Sequence, residues 1–115
     1  MKAAMVAGLL LVATGVQAAP VCLAPAVAGA RIKGIVREAA GGDTVCVQTS
    51  VDHTRLTRIR LLDVNAPRLR GPGGEGAKWA LRRVARGRAV ECRMRDAGAG
   101  VCAIGGRDIG SLLSR

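Results

Sequence analysis

Two short segments carry the residue types that handle phosphate and hard cations. In Gly42-Asp43-Thr44-Val45 a carboxylate follows a two-glycine turn, where it can approach a cation without crowding. In Arg60-Leu61-Leu62-Asp63-Val64-Asn65-Ala66-Pro67 a guanidinium sits on an otherwise apolar run that stops at proline. A guanidinium in such a place can clamp a phosphate with two parallel hydrogen bonds and stabilise charge in a transition state. Asn65 and the Ala66 carbonyl add two neutral oxygens to the Asp43 carboxylate. Simpler readings stand beside these. Asp43 fits a turn aspartate bonded to its own backbone, and Arg60 fits a solvated strand arginine.

A third group lies on a helical pattern. At about 100° per residue, Lys78, Trp79, Arg82, Arg83 and Arg86 gather on the side away from Ala77, Leu81 and Val84. A base could stack on Trp79 while the arginines meet phosphates. Equally, the ring could fold over neighbouring aliphatic stems. His53, the single histidine, falls in a turn, so a Ser-His-Asp arrangement has nothing to build on, and no glycine-rich loop ends in Gly-Lys-Ser/Thr.

The elements that must hold these residues follow from period and turn chemistry. Strands are expected over 31–36, 44–49, 54–62, 88–94 and 100–104, with a small-residue turn over 39–42. Within the third of them Thr57, Ile59 and Leu61 fall on one face, Arg58 and Arg60 on the other. Residues 75–86 form one full helix, with Gly87 as its stop, and Asp108 is placed to cap a second helix through Leu113. Strands, a helix, two more strands and the start of another helix give an α+β domain with a five-stranded, barrel-like sheet.

Composition sets the setting. Residues 1–18 combine Lys2, an apolar run and small residues before a Val16-Gln17-Ala18 end, the pattern of a cleaved export signal. Residues 19–30 are Ala, Pro and Val without a period, an irregular leader to a domain over 31–115. The formal net charge of +10 points to polyanions or anionic surfaces as partners. With no Phe, no Tyr and one Trp the core is lean, so other restraints are needed. An exported chain meets an oxidising compartment. Cys92 and Cys102 flank a glycine-rich turn between two apolar runs, which suits a bridge between adjacent strands and leaves Cys22 for Cys46. The spacing, with no CxxC and one histidine, argues against zinc.

Taken together, Gly42-Asp43-Thr44-Val45, Ile59-Arg60-Leu61-Leu62 with Asp63 to Pro67, Gly74-Glu75-Gly76-Ala77-Lys78, Leu81-Arg82-Arg83, Gly87-Arg88-Ala89-Val90 and Gly106-Arg107-Asp108-Ile109 resemble the staphylococcal nuclease (thermonuclease) family in order and spacing. The resemblance runs from about Arg31 to the end of the chain. It implies an OB-fold-like barrel and a calcium-dependent phosphodiesterase acting on DNA or RNA, with Asp43 as a Ca2+ ligand and Arg60 neutralising the reacting phosphate. Several positions depart from the family pattern. Asn65 stands where the second metal aspartate is expected, Ala66 where a threonine is, and Arg68 where the general base belongs. Arginine cannot accept a proton at neutral pH. Asp96-Ala97-Gly98-Ala99-Gly100 lacks the second catalytic arginine, and Arg115 falls within what the pattern makes a second helix.

The expectation is therefore an exported, periplasmic or secreted, thermonuclease-like domain whose cleavage of nucleic acid is weak or lost. The alternative, from another class, is a non-catalytic basic module that binds nucleic acid or an anionic envelope component.

Overall fold

The computed structural model of the chain describes residues 21–114. The export segment expected over residues 1–18 lies outside them. Seven strands and two helices follow in the order β1 (Val21–Pro25), β2 (Arg31–Gly41), β3 (Thr44–Gln48), β4 (Arg55–Leu61), α1 (Gly74–Ala85), β5 (Ala89–Asp96), β6 (Ala99–Ile104), β7 (Arg107–Asp108) and α2 (Ile109–Leu113).

Strands β4, β3, β2, β5 and β6 hydrogen-bond in that order, and β6 returns to β4, so five strands close into a barrel. All its contacts are antiparallel except this closure, where Arg60 and Leu61 run parallel to Ala99 and Gly100. The expected α+β, five-stranded, OB-fold-like barrel with one full and one short helix is the fold observed. Closure covers one end of the β4 edge that an open sheet would leave exposed.

The period-2 pattern decides which side chains fill the barrel. On β4, Ile59 and Leu61 are buried while Arg58 and Arg60 face out. On β5, Val90, Cys92 and Met94 alternate inward. Helix α1 seals the barrel with Leu81 and Ala85. Its last turn is docked by backbone bonds: the Gly87 amide donates to the Val36 carbonyl at 2.7 Å, and the Val36 amide to the Arg88 carbonyl at 3.0 Å. Gly87 takes φ +80°, a left-handed value suited to glycine after a helix, as its position in the sequence implies.

Three expectations need correction. The leader over 19–30 is not irregular throughout. Val21–Pro25 is a strand, parallel to β4. It shares one edge of β4 end to end with β6, because β3 occupies the other edge. Second, the turn expected over 39–42 is mostly strand. Strand β2 runs to Gly41, which pairs with Thr44, so only Gly42 and Asp43 form the hairpin loop. Third, Asp108 stands at the N-terminus of α2, yet its side chain makes no capping bond. The Gly110 amide instead donates to Oδ2 of Asp63, 47 residues away, at 3.1 Å.

That contact has a measurable consequence. Asp63→Ala strips the first turn of α2 of its acceptor, and a lost cap or charged hydrogen bond costs about 1–2 kcal/mol. In a domain of this size the expected fall in Tm is about 4–8 °C per kcal/mol. An unchanged thermal melt would show that α2 is held by its apolar contacts, Ile109 with Leu112 and Leu113.

Both disulfides pair as the spacing indicates: Cys92 with Cys102, directly opposed across β5 and β6, and Cys22 with Cys46, tying β1 to β3. Such crosslinks persist in oxidising compartments. No helix among the described residues is long and apolar enough to cross a membrane.

Candidate functional site

The β2–β3 loop, the end of β4 and the loop after it meet at one place. The Leu61 amide donates to the Asp43 carbonyl at 2.6 Å, and Thr44 lies opposite Arg60 in the β3–β4 register. Gly42 allows this meeting through its lack of a side chain. A Cβ there would stand 2.6 Å from Cβ of Ala77 and 2.7 Å from Cβ of Ala66. So α1 and the Asn65-Ala66-Pro67 segment both press against the residue next to Asp43. The loop leading to the helix is equally tight, since Gly74 is buried against the carbonyls of Arg68 and Leu69.

Around this junction lies a cleft of ≈ 570 Å³. Arg60 and Arg58 line it from β4, Thr44 from β3, Pro25 from the end of β1, and Asp96 to Ala99 from the β5–β6 hairpin. The hairpin is fixed against β4 and the segment after β1: the Arg60 amide donates to the Gly98 carbonyl and the Gly98 amide to the Ala26 carbonyl, both at 2.8 Å. Two arginines and one acidic residue, Asp96, thus line the same space. Such a cleft attracts an anion, and the two arginines lie two residues apart on the same face of one strand.

Asp43 and Asn65 are not part of the cleft wall; they flank the junction beside it. Asp43 is half-buried, and its Oδ1 accepts the Thr44 hydroxyl at 2.9 Å. Asn65 is exposed, and Ala66 abuts Gly42. As a calcium ligand set these residues supply one carboxylate and two neutral oxygens, whereas calcium takes six to eight oxygens. Among the described residues no three His, Cys, Asp or Glu side chains gather to hold a metal. The donor set therefore fits calcium poorly. Arg68, which stands where the resemblance puts a base, is exposed, and its carbonyl accepts from the Gly71 amide at 2.9 Å.

The basic helix face is only partly as the helical pattern implies. Trp79, Arg82, Arg83 and Arg86 line one shallow hollow. Lys78 instead turns towards a second pocket beside the Cys22–Cys46 disulfide, which Arg86 also borders. The guanidinium of Arg82 sits 4.8 Å from the Trp79 ring centre, a cation–π contact, and Trp79 keeps 53% of its surface exposed. Glu38 on β2 holds Arg82 at 3.0 Å and Arg86 at 3.9 Å. Part of the positive charge on this face is thereby neutralised, and the Arg82 guanidinium lies over the indole. Arg83 is exposed and makes no ion pair among the described residues.

Two residues of the cleft were not singled out from sequence. Arg58 carried a usable signal, its two-residue spacing from Arg60 on a strand. Asp96 carried none, because it reaches the cleft only when the β5–β6 hairpin closes on β4. His53 lies in a turn shaped by Asp52, whose carboxyl is held below its usual range by the Thr54 hydroxyl and then the Thr54 amide.

Compared with models of known protein families and with curated protein sequences, the chain matches none.

Proposed function

We propose that this chain is an exported, thermonuclease-like barrel that binds DNA or RNA through its phosphates and cleaves it weakly or not at all. The observation that carries the reading is the convergence of Arg58 and Arg60 on one cleft, beside Asp43. A phosphodiester bridged by these guanidiniums would be fixed in position, and phosphate contacts bind without reading sequence. The hollow of Trp79, Arg82, Arg83 and Arg86 offers a second contact, with the open side of the indole for a base. The two disulfides suit the periplasm or the extracellular space.

Cleavage is the weak part for chemical reasons. Hydrolysis needs a base to take a proton from water, and Arg68 cannot serve. Losing a general base costs about 10²–10⁴ in rate. Asp43, Asn65 and the Ala66 carbonyl would hold calcium only weakly, with one carboxylate among three donors, and no step of the proposed function passes through it.

The test is binding of a labelled single-stranded DNA oligomer to the oxidised chain lacking residues 1–18. Affinity is expected to fall steeply with salt, and Arg60→Ala to lower the log–log salt slope by about 0.7 for the one phosphate contact removed. Binding that ignores salt, or that Arg60→Ala leaves unchanged, would sink the reading. Incubation with Ca2+ separates the enzyme from the binding module. Chelator-sensitive cleavage that Arg60→Ala abolishes marks an active nuclease. If only Arg68→Glu cleaves, the base alone was missing.

A further inference from the structure

The pocket beside the Cys22–Cys46 disulfide differs in kind from the cleft. Its volume is ≈ 740 Å³, within the range of about 300–1,000 Å³ typical of small-molecule sites. The disulfide, Leu56, Ala39 and Ala40 supply apolar wall, and Arg37, Lys78 and Arg86 supply cations. Leu56 is of particular interest. It lies on the same side of β4 as Arg58 and Arg60, yet it is buried, because β1 runs alongside it and Cys22 is its register partner. An apolar wall has thus been built on a strand face that is otherwise polar.

The charge balance is one-sided. Among the described residues Glu38 is the only carboxylate in the lining, and it already engages Arg82 and Arg86. Arg37 gives its Nε–H to Oε1 of Gln48 at 2.6 Å, and a guanidinium has four more N–H groups. Lys78 is half-buried and makes no ion pair among the described residues. His53 closes the remaining side from the β3–β4 turn. An apolar body would displace water from Leu56 and the disulfide, while a single negative group met Lys78 and Arg37.

We propose that this pocket binds a small organic anion with an apolar body, such as an aromatic or aliphatic carboxylate or sulfonate. The inference does not rest on the nucleic-acid reading, since the residues that carry it, Leu56, Arg37 and the disulfide, are absent from the Arg58–Arg60 cleft.

The probe is 8-anilino-1-naphthalenesulfonate, with N-phenyl-1-naphthylamine as a neutral molecule of nearly the same apolar shape. Fluorescence titration of the oxidised chain is expected to show saturable binding of one sulfonate per chain. The neutral amine should bind about tenfold more weakly or worse, the scale of one charge-assisted contact. Arg37→Glu and Lys78→Glu are each expected to weaken the sulfonate by about tenfold or more on the same scale. Arg60→Ala should leave it within about twofold of the parent, since Arg60 lies outside the pocket. Thermal melts check that each variant is folded, and if Lys78→Glu is not, Arg37→Glu alone decides. Equal binding of the neutral amine, several sulfonates per chain, no saturable binding, or indifference to Arg37→Glu would each overturn the proposal.

Discussion

Replacing Cys92 and Cys102 together by alanine is expected to remove about 2–5 kcal/mol of stability, enough to unfold much of the chain at 37 °C. The two cysteines are separated by 10 residues and face each other across β5 and β6. In the unfolded chain a bridge of that separation removes loop entropy worth about 3 kcal/mol. Their place in the core adds to this, because both side chains are fully buried and each alanine leaves a sulfur-sized gap. Little else can compensate. The largest fully buried side chains are Ile59, Leu61, Leu81 and Ile109, with no aromatic among them, and the one tryptophan is half exposed. Urea denaturation of the double variant, with Cys22–Cys46 left oxidised, measures the effect. A loss below about 1 kcal/mol would mean that strand pairing carries the barrel without the crosslink.

Gly42→Ala should rank next, and it reaches the site as well as the fold. The added methyl meets Cβ of Ala77 at 2.6 Å and Cβ of Ala66 at 2.7 Å, both attached directly to backbone. Neither can rotate away, so α1 or the Asn65-Ala66-Pro67 segment must move. Overpacking of this type costs about 1–3 kcal/mol, or roughly 4–8 °C of Tm per kcal/mol in a domain this size. Because Gly42 leads through Asp43 into Thr44, which pairs with Arg60, the same displacement shifts the end of β4 that carries Arg60, and oligonucleotide affinity is expected to fall with Tm. Adding Ala66→Gly relieves one of the two contacts, and a coupling of about 0.5–3 kcal/mol between the positions should appear in the double-mutant cycle. Gly42→Ala as stable as the parent would show that the junction is looser than these contacts imply.

Much of this architecture was legible in the chain. Alternation marked which side of β4 is buried, since Ile59 and Leu61 face in while Arg58 and Arg60 face out. Gly87 after the helix, Pro67 after the β4 segment and the flanking of a glycine turn by Cys92 and Cys102 all report local geometry, which needs no knowledge of the rest. The candidate site was legible in parts: Asp43 and Arg60 are brought to one junction, as their strands implied. That Asn65 and Arg68 add no carboxylate to that of Asp43 was also visible, because the charge of a residue type needs no coordinates to be counted.

What only the tertiary structure decided involves partners far apart in sequence. Val21–Pro25 has no period of its own and becomes a strand because β4 has a free edge that β6 covers only at one end. Asp63 holds the α2 amide of Gly110 across 47 residues, a task that Asp108 is better placed for in sequence. Glu38 draws Arg82 and Arg86 inward, so the basic helix face is less charged than its residue types suggest. Asp96 enters the Arg58–Arg60 cleft, and Lys78 a different pocket, only once the barrel has closed. Hydrophobic period and turn chemistry act over a few residues and therefore appear in the sequence by itself. Which charged groups share a cavity depends on strand order and closure, and those are properties of the whole sheet.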